Sequence, residues 1–289
     1  MNEYKLGKKV SLITILLNLL LCIFKVIAGI FGKSSAMIAD GIHTLSDVIT
    51  TVMVIIGLKV SSKKEDECHP YGHEKFEPIC AKIISALLFL TGIFIAYEGF
   101  KVLYKGNFTT PGKIALIAAI ISIITKELMY RYTIKTAKRI KSVSMEADAW
   151  HHRSDAFSSI GTFAGILGAR IGLKILDPIT SILVSLFIIK VGIEFYLKSI
   201  KELVDSSADK EIIEKIKEKT LTISGVEEIH NLKTRNFGSK IYVDIEISID
   251  SKLSVEKSHE IATKVHDTLE RDINNIKHCM VHVEPYYLK

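Results

Sequence analysis

Long apolar stretches crowd this chain before about Leu203 and are missing after it. A helix needs about 20 mainly apolar residues to cross a hydrocarbon slab roughly 30 Å thick. Residues 10–31, 34–58, 79–104, 113–134, 142–171 and 176–200 supply six candidate spans. The fifth is weak by hydropathy, because Glu146, Asp148, His151, His152, Arg153 and Asp155 fill its first half. Its polar face must therefore point into a helix bundle and away from lipid. The total of 48% hydrophobic residues would suit a soluble domain, so the distribution carries the argument. The first run exceeds a signal-peptide core of roughly 7–15 residues and lacks a cleavage site, which predicts a retained anchor.

The net charge is +6. The basic residues flank apolar stretches, as in Lys5, Lys8, Lys9 and Lys135, Lys138, Arg139, Lys141. That pattern fits a topology signal and argues against a nucleic-acid surface. Counted over alternate connections, the bias predicts both termini in the cytoplasm and an even number of spans; the expected location is the cell inner (plasma) membrane. Cys22, Cys68, Cys80 and Cys279 form no CxxC pair, so they are expected to be free thiols. Lys25 and Glu98 sit within spans without an evident partner; snorkelling suits Lys25. Lys126, Glu127 and Arg131 read as local i,i+4 pairing at the cytoplasmic side of the fourth span.

The pattern changes at about residue 206, which divides the chain into residues 1–205 and 206–289. Asp209 to Thr220 has helical period, and Val226 to Thr234 and Lys240 to Ile249 read as strands. In the latter, Ile241, Val243, Ile245 and Ile247 alternate with Tyr242, Asp244, Glu246 and Ser248. Ser254 N-caps a helix to Arg271, and His278 to Glu284 makes a last strand. The predicted fold class is a membrane α-helical bundle of six spans, followed by a small cytoplasmic α+β domain of order α-β-β-α-β.

Two stretches nearly repeat each other. Residues 39–47 and 147–155 both read A-D-x-x-H-x-x-S-D, one in the second span and one in the fifth. Six spans make these helices antiparallel, as an inverted repeat requires. Residues four apart share a helix face, so His43 points with Asp47 and His151 with Asp155. Both pairs lie about ten residues into their helices, roughly 15 Å deep at 1.5 Å per residue. Two imidazoles and two carboxylates suit tetrahedral Zn²⁺. A lone mid-membrane carboxylate costs at least about 2.5–3.5 kcal/mol on insertion scales, and one divalent cation balances two of them. Vacated ligands can take protons, imidazole most readily, so metal and proton compete for one site. The plainer reading is a pair of structural polar contacts between helices; two matched pairs at matched depth argue against it. Asp40 and Asp148 are read as structural.

These residues resemble the cation diffusion facilitator family of metal/proton antiporters, over essentially the whole chain. The resemblance implies a homodimer in the lipid bilayer that exports Zn²⁺, Cd²⁺, Co²⁺, Fe²⁺ or Mn²⁺ in exchange for protons. It implies His43, Asp47, His151 and Asp155 as the transport site, with a metallochaperone-like soluble domain. The H-x-x-G-H-x-K run with Asp66, His69 and His73 resembles the family's accessory loop site; three ligands at spacings of three and four can converge on a metal. Lys75 and Asp205 match positions of an interlocking salt bridge. His230, Glu246, His259, His282 and Glu284 match a cytoplasmic regulatory site, with Glu246 standing where histidine is common in zinc-transporting relatives. His266 and His278 are read as exposed.

Two other functions fit the residues less well. An intramembrane metal enzyme needs an open metal position and a base, as in H-E-x-x-H, but His259-Glu260 lacks the second histidine. A membrane-anchored metal sensor has no use for mid-membrane carboxylates. No G-x-x-x-x-G-K-[ST] run occurs, so no nucleotide is expected and an ion gradient must drive transport. Zn²⁺ or a related divalent cation is thus expected as substrate and as a regulatory ligand.

Overall fold

The computed structural model describes residues 3–31, 35–106, 113–170 and 175–287. Within the helices the side chains of Asp40 and His43 lie outside the described residues. The chain forms two compact units, Met1–Ile200 and Lys201–Lys289.

The first unit is built from α1 (Glu3–Phe31), α2 (Ser35–Ser61), α3 (Phe76–Lys105), α4 (Lys113–Ile140), α5 (Val143–Arg170) and α6 (Leu176–Leu203). Each matches an expected span. Most run further, α4 by one and a half turns, because its basic end is as helix-compatible as its apolar middle. Polar side chains gather inside the bundle beside its apolar contacts, and much apolar surface faces outward. On α1, Ser11, Thr14, Asn18 and Lys25 are buried, while Leu12, Leu16, Leu20 and Ile23 are exposed. Water would penalise that arrangement and lipid favours it. Two helices, over Tyr4–Ala28 and Phe76–Lys105, also pass as spans on length and mean hydropathy, 2.5 and 2.3.

Lys25 does not snorkel. It is buried, and its Nζ donates to Thr44 Oγ1 on α2 at 3.0 Å; a threonine acceptor inside the bundle makes the excursion to the interface unnecessary. Glu98 pairs with Lys101 one turn on, at 2.8 Å. Helices α3 and α6 approach closely through glycines. A Cβ on Gly192 would meet the Phe89 backbone nitrogen at 2.9 Å, and one on Gly92 would meet Ile189 Cγ1 at 2.7 Å.

The second unit has the expected order: α7 (Lys210–Leu221), β1 (Glu228–Phe237), β2 (Lys240–Asp250), α8 (Val255–Asp272) and β3 (Ile276–Tyr286). Its sheet runs β1-β2-β3, antiparallel between β1 and β2 and parallel between β2 and β3. Alternation on β2 sends Ile241, Val243, Ile245, Ile247 and Ile249 into a core with Ile216 of α7 and Val265 and Leu269 of α8. Ser254 caps α8, its Oγ accepting the Lys257 N–H at 3.3 Å. Cys279 belongs to this core; burial, helped by the charges of Glu270 and Asp244, pushes its thiol up to about 12.

Candidate metal-transport centre

Helices α2 and α5 pack against each other. Asp47 meets His151, with His151 Nε2 3.3 Å from Asp47 Oδ1. One turn further along α2, the Thr51 hydroxyl meets Asp148 on α5 at 3.1 Å. Moving forward on α2 thus means moving back on α5, so the two helices are antiparallel, as the repeated motif predicts. Asp47, His151 and Asp155 each offer a ligand atom within 4.8 Å of the others. All three are at most 9% exposed. His151 Nδ1 is buried without a hydrogen-bond partner among the described residues. His43 lies on the same helix as Asp47, four residues earlier, with its side chain outside the described residues.

Lys126 of α4 occupies the middle of this group. Its Nζ donates to Asp47 Oδ2 at 2.6 Å and to Asp155 Oδ2 at 2.8 Å, and the residue is 1% exposed. The local i,i+4 reading of Lys126 is therefore wrong. Glu127 does pair with Arg131, at 2.8 Å, but consecutive helix residues point about 100° apart. Lys126 falls on the buried stripe with Ser122, Met129 and Thr133. That stripe was visible in the sequence: a lysine on the inward face of a span demands an acid. Chemically, one ammonium and two carboxylates leave a net charge of −1 beside His151, whose neutral ring offers one lone-pair nitrogen, a setting that attracts a further cation.

Asp148 faces α2. It accepts from Thr50 at 3.2 Å and from Thr51 at 3.1 and 3.3 Å. Its carboxylate thus joins the helices beside the centre, in keeping with the structural reading. His152, fully buried, was missed by the sequence reading; its Nε2 lies 3.6 Å from Asp148 Oδ2.

The loop between α2 and α3 also assembles. His73 Nε2 is 3.1 Å and His69 Nδ1 3.4 Å from the two oxygens of Asp66. Gly72 takes φ 99, a turn that favours glycine and lets His73 fold back. The His69 backbone N–H, donated to Asp66, holds that carboxyl below its usual range against an opposing effect of burial; the two imidazoles add to the lowering.

The cytoplasmic candidates are less gathered. Glu246 and His282 are register partners on β2 and β3, and His282 Nε2 lies 3.0 Å from Glu284 Oε1. Glu246 accepts from Asn231 at 3.3 Å. His230 sits at the bulge where β1 shifts register, and His259 is exposed on α8. Lys75 stands at the start of α3 in the first unit, and Asp205 takes φ 56 in the second.

The cation efflux transmembrane domain family matches residues 11–204, and the cation efflux protein cytoplasmic domain family matches residues 208–286. An uncharacterized transporter of Methanocaldococcus jannaschii is 36% identical over 277 residues, 96% of this chain and 98% of that one. The manganese efflux system protein MneP of Bacillus subtilis is 33% identical over 290 residues, covering 98% of this chain and 97% of its own. A solved MamM CTD in a cadmium form is 26% identical over 27% of this chain and 98% of its own, with a TM-score of 0.27. The antiparallel acid–imidazole faces and the matched domains lead to one conclusion: this chain belongs to the cation efflux, or cation diffusion facilitator, family of integral-membrane divalent-metal transporters, and is not an enzyme.

Proposed function

We propose that this protein exports Zn²⁺ from the cytoplasm in exchange for protons, by alternating access, using His43, Asp47, His151 and Asp155. The observation that carries the reading is the convergence of Asp47, His151 and Asp155 inside the bundle. Lys126 acts there as a tethered counter-ion. With no metal it pairs with both buried acids and halves their charge; an entering dication displaces the ammonium from between them. Without that ammonium, unpaired buried charge would cost several kcal/mol per ion. Its competition also weakens metal binding, so that release on the far side is possible. Imidazole and carboxylate, with no thiolate, favour exchange over retention. Protons return to the vacated ligands.

Around this centre, the reading places both termini in the cytoplasm and the protein as a homodimer in the inner (plasma) membrane. Asp66, His69 and His73 hold an accessory ion, and His230, Glu246, His259, His282 and Glu284 bind regulatory metal.

A second substrate has a specific observation in its favour. MneP and MneS of Bacillus subtilis, both 33% identical over nearly full length, carry the name manganese efflux system protein. Two carboxylates suit Mn²⁺ and two imidazoles suit Zn²⁺. The test is metal-driven proton flux in proteoliposomes with Zn²⁺ and Mn²⁺ in competition, at two pH values. Zn²⁺ preference with lower apparent affinity at the lower pH supports the first reading. Mn²⁺ preference replaces it with the second, and flux insensitive to both metals removes both.

A further inference from the structure

Strand β3 is an outer strand, and α8 closes its free edge at one residue. Cys279 N–H donates to Glu270 Oε1 at 3.0 Å, and Cys279 C=O accepts from His266 Nδ1 at 2.7 Å. Edge protection of this kind is ordinary. What it does to the imidazole is less so. With Nδ1–H committed to a carbonyl, the neutral ring carries its lone pair on Nε2. That nitrogen lies 3.3 Å from Glu270 Oε1. His278 Nδ1 lies 3.3 Å from the same oxygen. Two nitrogens therefore aim at one carboxylate oxygen, which already accepts a backbone N–H. A proton on each nitrogen would make the convergence attractive, and so would one divalent cation shared by all three groups.

The spacing matches a metal. Zn²⁺ in tetrahedral coordination, with bonds of roughly 2.0–2.2 Å, separates adjacent ligand atoms by about 3.3–3.6 Å. Two of the three edges here are 3.3 Å, and all three ligand atoms lie within 4.8 Å of one another. The carbonyl bond to His266 is the support that metal-ligating histidines ordinarily have, fixing tautomer and ring plane. The residues are 30–46% exposed at the side chain, so the site is open to the solvent side.

From this geometry we infer that His266, Glu270 and His278 form a separate site for a borderline divalent cation such as Zn²⁺ or Co²⁺. Two imidazoles and one carboxylate select such ions over Mg²⁺ and Ca²⁺. Three protein ligands leave a position for water, which makes the ion exchangeable. Bound metal ties α8 to the start of β3. The site shares no ligand with the His230, Glu246, His259, His282 and Glu284 set, and its existence does not depend on the transport mechanism.

The test uses the full-length protein in detergent at neutral pH. Diethylpyrocarbonate modification of His278 is followed by mass spectrometry with and without Zn²⁺. Zn²⁺ is expected to abolish the modification in the wild type and in His282→Ala. Glu270→Gln keeps an oxygen for the Cys279 N–H but loses the charge, and in that variant His278 is expected to react as if no metal were added. Unchanged His278 reactivity on adding Zn²⁺ overturns the proposal and leaves a proton-bridged edge clamp. Protection lost in His282→Ala also overturns it, since the ion would then belong to the other set.

Discussion

Lys126 Nζ lies 2.6 Å from Asp47 Oδ2, between helices α4 and α2 and out of reach of water. The same ammonium reaches Asp155, so one cation of the chain itself holds together the two acids a transported ion would need. Removing it exposes its role. Lys126→Gln leaves two buried carboxylates facing each other, at a cost of about 3–5 kcal/mol. The metal-free variant should melt well below the wild type in detergent, and added Zn²⁺ should raise its Tm by more than it raises the wild type's. Equal melting and equal metal response would mean that Lys126 does not neutralise the centre.

Thr51 offers a second probe. Its hydroxyl reaches both oxygens of Asp148. Thr51→Val keeps the shape and removes the donor, at a cost of about 1–3 kcal/mol for the under-satisfied carboxylate. Thermal melting in detergent reads the loss, and a variant as stable as the wild type would show that Asp148 is satisfied without α2.

Gly192 tests the helical packing. Because an added Cβ would meet the Phe89 backbone at 2.9 Å, Gly192→Ala forces α3 and α6 apart. Overpacking of this kind costs about 1–3 kcal/mol. A lowered Tm is expected, and an unchanged one would contradict the close approach.

The cysteines report on both units at once. Cys68 is exposed and Cys279 is 1% exposed. Maleimide should label Cys68 in the native protein and Cys279 only after unfolding, as read by peptide mass spectrometry. Native labelling of Cys279 would place it outside the core.

His230→Ala addresses the cytoplasmic metal set. Flux assays should show a weaker apparent metal affinity with transport retained. Complete loss of flux in a folded variant would move His230 from regulation into the transport path.

The helices and the soluble fold were legible because period and polarity write them directly. Ile241, Val243, Ile245 and Ile247 announce a core face whatever surrounds them, and the repeated A-D-x-x-H-x-x-S-D places Asp47 and Asp155 on facing helices. Contacts between distant elements were not legible in the same way. Lys126 lies 79 residues from Asp47, and its neighbour Glu127 offered a nearer partner. Its inward stripe was the available clue and was outweighed by local charge. His278 is exposed, as expected, and His266 is partly buried; the partner they share, Glu270, becomes visible only once α8 lies along the edge of β3. Asp66, His69 and His73 were found because a short loop brings them together through local turns.

The most direct test is proton flux driven by a Zn²⁺ gradient through Asp155→Ala reconstituted in proteoliposomes. Loss of flux, with dimer and secondary structure intact, is the predicted result. Flux at the wild-type level would contradict the assignment of the buried acids to the metal path.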